Sequence, residues 1–173
     1  RDCLLSRGLG DVYKRQIVAT MALCEAAAYY KTQGKTLWDA MIEMYEQFGY
    51  YKDAIQSVTM KGIEGLQKIQ EIMNSLRQNP PAEFAGHKVV AVRDYKADTI
   101  TDVATGAVEP TGLPNSNVLY YELTDDAWVC VRPSGTEPKV KFYFGIKGTS
   151  IADADAKAEA MKEAVNALVE KML

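Results

Sequence analysis

Residues 127–146 read AWVCVRPSGTEPKVKFYFGI, two apolar runs with a polar loop between them. Each run, 127–131 and 140–146, has the length of a strand and is too short for a separate helix, so the stretch is a hairpin-type connection. Beyond the loop, Val140, Phe142, Phe144 and Ile146 alternate with Lys139, Lys141, Tyr143 and Gly145. That is the period of a strand with one face in a core and the other carrying lysines. Inside the loop, Pro133 and Pro138 fix φ and Gly135 permits φ above zero. Ser134 and Thr136 offer hydroxyls on either side of that glycine.

Arg132, two hydroxyls, free backbone N–H groups and Lys139 together make the parts of an oxyanion receptor. A guanidinium fork matches phosphate, and hydrogen bonds to a charged group contribute about 1.5–3 kcal/mol each. The loop has no His, no second carboxylate and no thiol, so it suits binding rather than bond-breaking. It lacks the spacing and following helix of a nucleotide P-loop. An ordinary proline-punctuated hairpin turn would use the same prolines and glycine. Residues 132–147 set Arg132, Lys139, Lys141 and Lys147 against Glu137 alone, in a chain of formal net charge −3. A positive corner on an acidic protein points to a small anion, whereas nucleic acid brings a broadly basic domain.

The stretch 132–144, RPSGTEPKVKFYF, resembles the phosphate-binding loop in the last domain of the α-D-phosphohexomutases, the phosphoglucomutase and phosphomannomutase family. The resemblance extends over 24–51, CEAAAYYKTQGKTLWDAMIEMYEQFGYY, and 61–81, KGIEGLQKIQEIMNSLRQNPP, and so over nearly all of the chain after Gln16. It is greatest to the longer bacterial phosphoglucomutases. By position it implies Arg132, Ser134, Gly135 and Thr136 as main contacts of the substrate phosphate that is not reacting, Lys141 as a nearby basic contact and Lys139 as a weaker one. It implies a parent enzyme that interconverts glucose 1-phosphate and glucose 6-phosphate through a phosphoserine. Glucose 1,6-bisphosphate would be the intermediate and activator, and Mg²⁺ would sit on an aspartate-rich loop.

No Asp-x-Asp-x-Asp run, Ser-His-Asn-Pro loop or Glu-Glu-Ser-Gly loop occurs in this chain. The expectation is therefore an inactive piece with no catalytic residue and no metal ligand of its own, whose partners are a hexose phosphate and the N-terminal domains of the same protein. A phosphomannomutase or phosphopentomutase parent stays open, as does a stand-alone phosphosugar-binding module. A nucleic-acid binder using the sheet face is disfavoured by a pI near 5.3.

At 173 residues, 47% hydrophobic and 25% charged, the chain can bury a core. Cys3, Cys24 and Cys130 are odd in number and far apart, which suits neither a disulfide framework nor a zinc site and leads us to expect a reducing, cytoplasmic setting. The apolar run 17–30 is too short to span a bilayer, so no membrane partner is expected. Residues 1–16 lack any periodicity and read as a non-native leader, or else a disordered terminus. Residues 17–52 read as the helical end of a preceding sugar-recognising domain with its linker, and 53–173 as a C-terminal phosphate-binding domain.

Within 17–52, residues 17–31 are apolar all round, as in a helix packed on several sides. Thr36 caps a second helix, with Asp39 completing a box and Leu37, Met41, Tyr45 and Phe48 along one face. The C-terminal domain should begin with a strand over 54–60 and a helix over 62–78, whose stripe is Ile63, Leu66, Ile69, Ile72, Met73 and Leu76. Strands follow over 88–95, 118–123 and 128–131 and then along 139–146, the second and third joined by a turn at Thr124, Asp125 and Asp126, and the long connection over 96–116 has room for a short strand near 99–103. His87, the sole histidine, stands at a strand entrance and reads as packing or solvated. Ser150 caps a last helix with a seam of Ile151, Ala154, Ala158, Met161, Val165, Leu168 and Met172. Strand, helix, four strands and helix give an α+β sandwich with the helices on one side of a mostly antiparallel sheet. The family resemblance implies the TATA-binding-protein-like fold for this part, preceded by the two helices.

Overall fold

The computed structural model describes residues 15–60, 64–135 and 137–172, with residues 15 and 16 described by their backbone alone. The leader expectation for 1–16 falls outside the described residues up to residue 14, and the first helix begins at Arg15. The chain divides into two compact units, Arg1–Phe48 and Gly49–Leu173.

In the first unit, α1 (Arg15–Thr32) and α2 (Leu37–Phe48) pack on each other. The α2 box forms as its letters require: Thr36 N–H donates to Asp39 Oδ2 at 2.8 Å, and Asp39 N–H donates to Thr36 Oγ1 at 3.2 Å. Burial is shallower than the apolar run suggested. Ile17, Val18, Met21 and Leu23 are exposed, and among the described side chains of α1 only Ala26, Ala27 and Tyr30 are half-buried, because a helix pair covers a single strip of each member. On α2 the half-buried strip is Ala40, Met41, Ile42 and Tyr45, with Leu37 and Phe48 outside it.

The second unit starts with β1 (Tyr50–Thr59), so Tyr50, Tyr51 and Lys52 belong to a strand rather than to a linker. After it come α3 (Glu64–Gln78), β2 (Glu83–Phe84), β3 (His87–Asp94), β4 (Thr99–Asp102), β5 (Val108–Glu109), β6 (Leu119–Leu123), β7 (Trp128–Pro133), β8 (Lys139–Gly148) and α4 (Ile151–Glu170). The strands pair antiparallel in the order β1-β8-β7-β6-β3-β4-β5, with β2 on β3. The two-residue strands β2 and β5 escape a pattern-based reading because neither is long enough to show a period. A tight turn joins β2 to β3, with φ of 47° at Ala85 and 83° at Gly86, a pairing that suits the twist of a hairpin.

Both helices pack against one face of the sheet. From α3 come Ile69, Ile72, Met73 and Leu76, from α4 Ala158, Met161, Val165 and Val169, and from β8 Val140, Phe142, Phe144 and Ile146, all in a single buried cluster. Leu66 is 57% exposed and so leaves the expected stripe, while Ile63 lies outside the described residues. On α4, Val169 is buried, while Ile151, the first residue of the helix, is exposed. The α4 cap holds, with Ser150 Oγ accepting from Asp153 N–H at 3.1 Å. On the other sheet face Trp128 lies across Gly145, where a Cβ would meet the indole Cε2 at 2.7 Å, and Trp128 stacks on Tyr120 with ring centroids 5.6 Å apart.

Four β8 residues in this core have 0% exposure. We expect Phe142→Ala, at a site with 0% exposure, to lower unfolding free energy by about 3–5 kcal/mol in urea denaturation. Tyr121 is also fully buried, and its hydroxyl donates to the Leu76 carbonyl at 3.2 Å. Burial pushes that phenol far above the usual tyrosine value. The fold therefore favours the neutral form, and its stabilisation is complete below the unfolded pKa and is lost as pH rises past it. Unfolding free energy should fall from about pH 10 upward, and less steeply in Tyr121→Phe, as read by urea denaturation at pH 8 and pH 11.

Candidate functional site

The loop after β7 is positioned by the ladder on either side of it. In the β7–β8 register Arg132 stands opposite Lys141 and Pro133 opposite Val140. Ser134 N–H donates to the Lys139 carbonyl at 2.7 Å, closing the hairpin, and Met60 N–H donates to the Pro138 carbonyl at 2.8 Å, tying the loop to the end of β1. Val140 faces the core, so its neighbours in register place Arg132 and Lys141 together on the opposite face.

Like charges directly across an antiparallel pair disfavour the fold unless something lies between them. Among the described residues the Arg132 guanidinium has no hydrogen-bond or ion-pair partner. Lys139 is already engaged, its Nζ 2.9 Å from Glu137 Oε2, and that bond holds the Glu137 carboxyl below its usual range. Lys147 is likewise committed, to Asp126 Oδ2 at 2.9 Å, and lies over the Tyr51 ring. The positive corner anticipated over 132–147 thus narrows to Arg132 and Lys141.

A cleft of about 690 Å³ opens beside the loop. Arg132, Pro133, Ser134 and Gly135 form one wall, Ser116, Asn117 and Val118 a second, and Leu66 and Gln70 of α3 the third. Of the residues singled out by sequence, Arg132, Ser134 and Gly135 therefore line one cleft. Lys141 neighbours Arg132 on the sheet face but lies outside the lining, Lys139 is turned to Glu137, and Thr136 is outside the described residues.

Sequence reasoning did not find Leu66, Gln70, Ser116, Asn117 or Val118. Leu66 has helical spacing that assigns it to the core, and residues 115–118 sit in a connection whose composition announces only a turn. They are held firmly all the same. Asn115 Nδ2 donates to the Lys96 carbonyl at 2.7 Å, Ser116 N–H to the Tyr95 carbonyl at 3.2 Å, and Tyr95 N–H to the Val118 carbonyl at 3.1 Å.

Burial pushes the Cys130 thiol up, against the opposing pull of Arg132, so it stays protonated near neutral pH and is no nucleophile. Asp125 and Asp126 occupy a turn with φ of 62° and 58°; the first meets His87 Nδ1 at 3.2 Å, the second binds Lys147. Among the described residues no group of three or more His, Cys, Asp or Glu is placed to hold a metal ion, and no helix is long and apolar enough to cross a membrane.

Comparison with known proteins agrees with this architecture. Residues 72–168 match the family model for the phosphoglucomutase/phosphomannomutase C-terminal domain. Phosphoglucomutases of Staphylococcus aureus strains RF122 / ET3-1 and MRSA252 are each 38% identical over 135 residues, which is 78% of this chain and 24% of theirs. The chain therefore spans about a quarter of the length of the curated relatives it matches. In fold it is similar to the open form of the exocytosis-sensitive phosphoprotein pp63/parafusin, a phosphoglucomutase from Paramecium, with a TM-score of 0.52 over 90% of this chain and 26% of that one at 16% identity. With an antiparallel sheet backed by helices and a family match over residues 72–168, the chain belongs to the phosphoglucomutase/phosphomannomutase family and carries its C-terminal domain.

Proposed function

We propose that this chain is the substrate-phosphate anchor of a phosphoglucomutase, gripping the phosphate of glucose 1-phosphate or glucose 6-phosphate that is not being transferred. The supporting observation is the juxtaposition of Arg132 and Lys141 on one sheet face, with Arg132 unpaired among the described residues at the edge of the cleft that Ser134 and Gly135 line. Arg132 and the loop donors bind the dianion, with Lys141 adding charge beside them. Thr136 completes the anchor in this reading.

Phosphoryl transfer depends on charge positioned around the moving group. In this proposal the phosphoserine, the metal and the handling of glucose 1,6-bisphosphate belong to other domains of the protein. The proposed setting is the cytoplasm, where hexose phosphates occur.

A few charge-assisted contacts at about 1.5–3 kcal/mol each, less the cost of fixing the ligand, put the affinity of the chain alone near the millimolar range. Titration of glucose 1-phosphate into the labelled chain, followed by NMR, should shift the Gly135 amide, and Arg132→Ala should weaken that binding by about tenfold or more. In a full-length enzyme the same substitution should raise KM for glucose 1-phosphate by a similar factor. The chain by itself should show no mutase turnover. Turnover, or unchanged binding in Arg132→Ala, would overturn the assignment, and micromolar affinity would favour a self-sufficient phosphosugar-binding module.

A further inference from the structure

We propose that Asn117 is an additional contact of the phosphorylated ligand, and that Arg77, held by Asp94, is the positioning residue that turns the Asn117 amide toward the cleft. This rests on the phosphate reading above and extends it to a wall of the cleft that the loop does not supply.

Arg77 lies in the last turn of α3. Its Nε donates to Asp94 Oδ2 at 3.0 Å, with both side chains only 15% exposed, and its second terminal nitrogen donates to Asn117 Oδ1 at 2.6 Å. A guanidinium has donors and no acceptor, so the amide atom facing it must be the oxygen. The planar amide then directs its Nδ2 hydrogens away from Arg77. Among the described residues Nδ2 has no hydrogen-bond partner, and no buried side-chain nitrogen or oxygen is left unsatisfied, so Nδ2 is open to solvent. Asn117 lines the cleft together with Arg132 and Ser134.

An amide with its carbonyl committed elsewhere presents only donors to that space. Donors pair with oxygen acceptors and reject a second cation, and Arg132 in the same cleft favours the acceptor that is an anion. The backbone on either side is already bonded, through Ser116 to Tyr95 and through Tyr95 to Val118, so little ordering remains when ligand arrives. The class of ligand is therefore that of the loop itself, a phosphate oxygen reached from the opposite wall.

The test is a titration of inorganic phosphate into the ¹⁵N-labelled chain, following the Gly135 backbone amide and the Asn117 side-chain amide, which Asn117→Ala identifies by its loss. Both signals should move along one saturation curve. Asn117→Ala should weaken binding by about three- to tenfold, and Asn117→Asp, which keeps an oxygen for Arg77 but turns a carboxylate toward the cleft, by more than about tenfold. Arg77→Lys should weaken it as Asn117→Ala does, and the double variant should lose no more than either single one, because the arginine acts through the amide. The same spectra report whether each variant is folded. An Asn117 amide that stays still while Gly135 moves, or wild-type affinity in Asn117→Asp, would overturn the inference and leave the phosphate reading standing. A motionless Gly135 amide, or unchanged affinity in Arg132→Ala, would overturn the phosphate reading and this inference with it.

Discussion

A strand of period two has only two ways to face a core, and β8 is committed to one of them. Val140, Phe142, Phe144 and Ile146 have 0% exposure, while Lys139, Lys141 and Tyr143 take the other side. Sliding β8 by one residue would send four apolar side chains to water, at about 1.5–3 kcal/mol each, a loss comparable with the whole stability of a domain. The core therefore dictates the register, and the register puts Arg132 opposite Lys141. The placement of Arg132 and Lys141 is thus set by residues buried in the core.

The second fixed point is the C-terminal turn of α3. Leu76 and Met73 seat it in the core, the Leu76 carbonyl accepts from the Tyr121 hydroxyl, and Arg77 reaches past it to Asp94 and Asn117. The partly buried Arg77–Asp94 pair is less screened than a surface ion pair, and losing either partner leaves the other with fewer contacts than water would give it. Here the same pair joins the helix to the end of β3 and, through Asn117, to the residues entering β6. Helix, strand end and cleft wall are joined by these hydrogen bonds.

How much of this was legible in the letters depended on whether a residue's role is local. The alternation over 139–146, the Thr36–Asp39 box and the Ser150 cap are local patterns, and each appears as read. The hairpin was legible too, since two apolar runs flank two prolines and a glycine within eight positions, and β7 and β8 pair on either side of them. Leu66 was misread because helical spacing says which side a residue is on and not where the sheet beneath it ends. Asn117 was invisible for a different reason. Its partner is Arg77, forty positions earlier, and only the antiparallel placement of β6 beside β3 brings the two together. β2 and β5 were missed because two residues carry no period.

The charge on this corner is best understood by what cancels. Lys139 is answered by Glu137 and Lys147 by Asp126, so a run that reads as four cations presents Arg132 and Lys141. A polyanion needs a row of uncompensated charge along its backbone, and its attraction to an acidic chain is screened beyond about 8–10 Å. A compact dianion needs only a few donors converging within contact distance, where a partly desolvated charge pair is worth about 4 kcal/mol at an effective dielectric near 20. In the proposed mutase role the anchor must hold a sugar by either phosphate in turn. In that proposed role a seat made of a guanidinium, hydroxyls and amide N–H groups would read the phosphate whichever ring carbon bears it, and the Glu137 and Asp126 carboxylates that answer Lys139 and Lys147 would leave little surplus charge to favour a longer anion over a single phosphate.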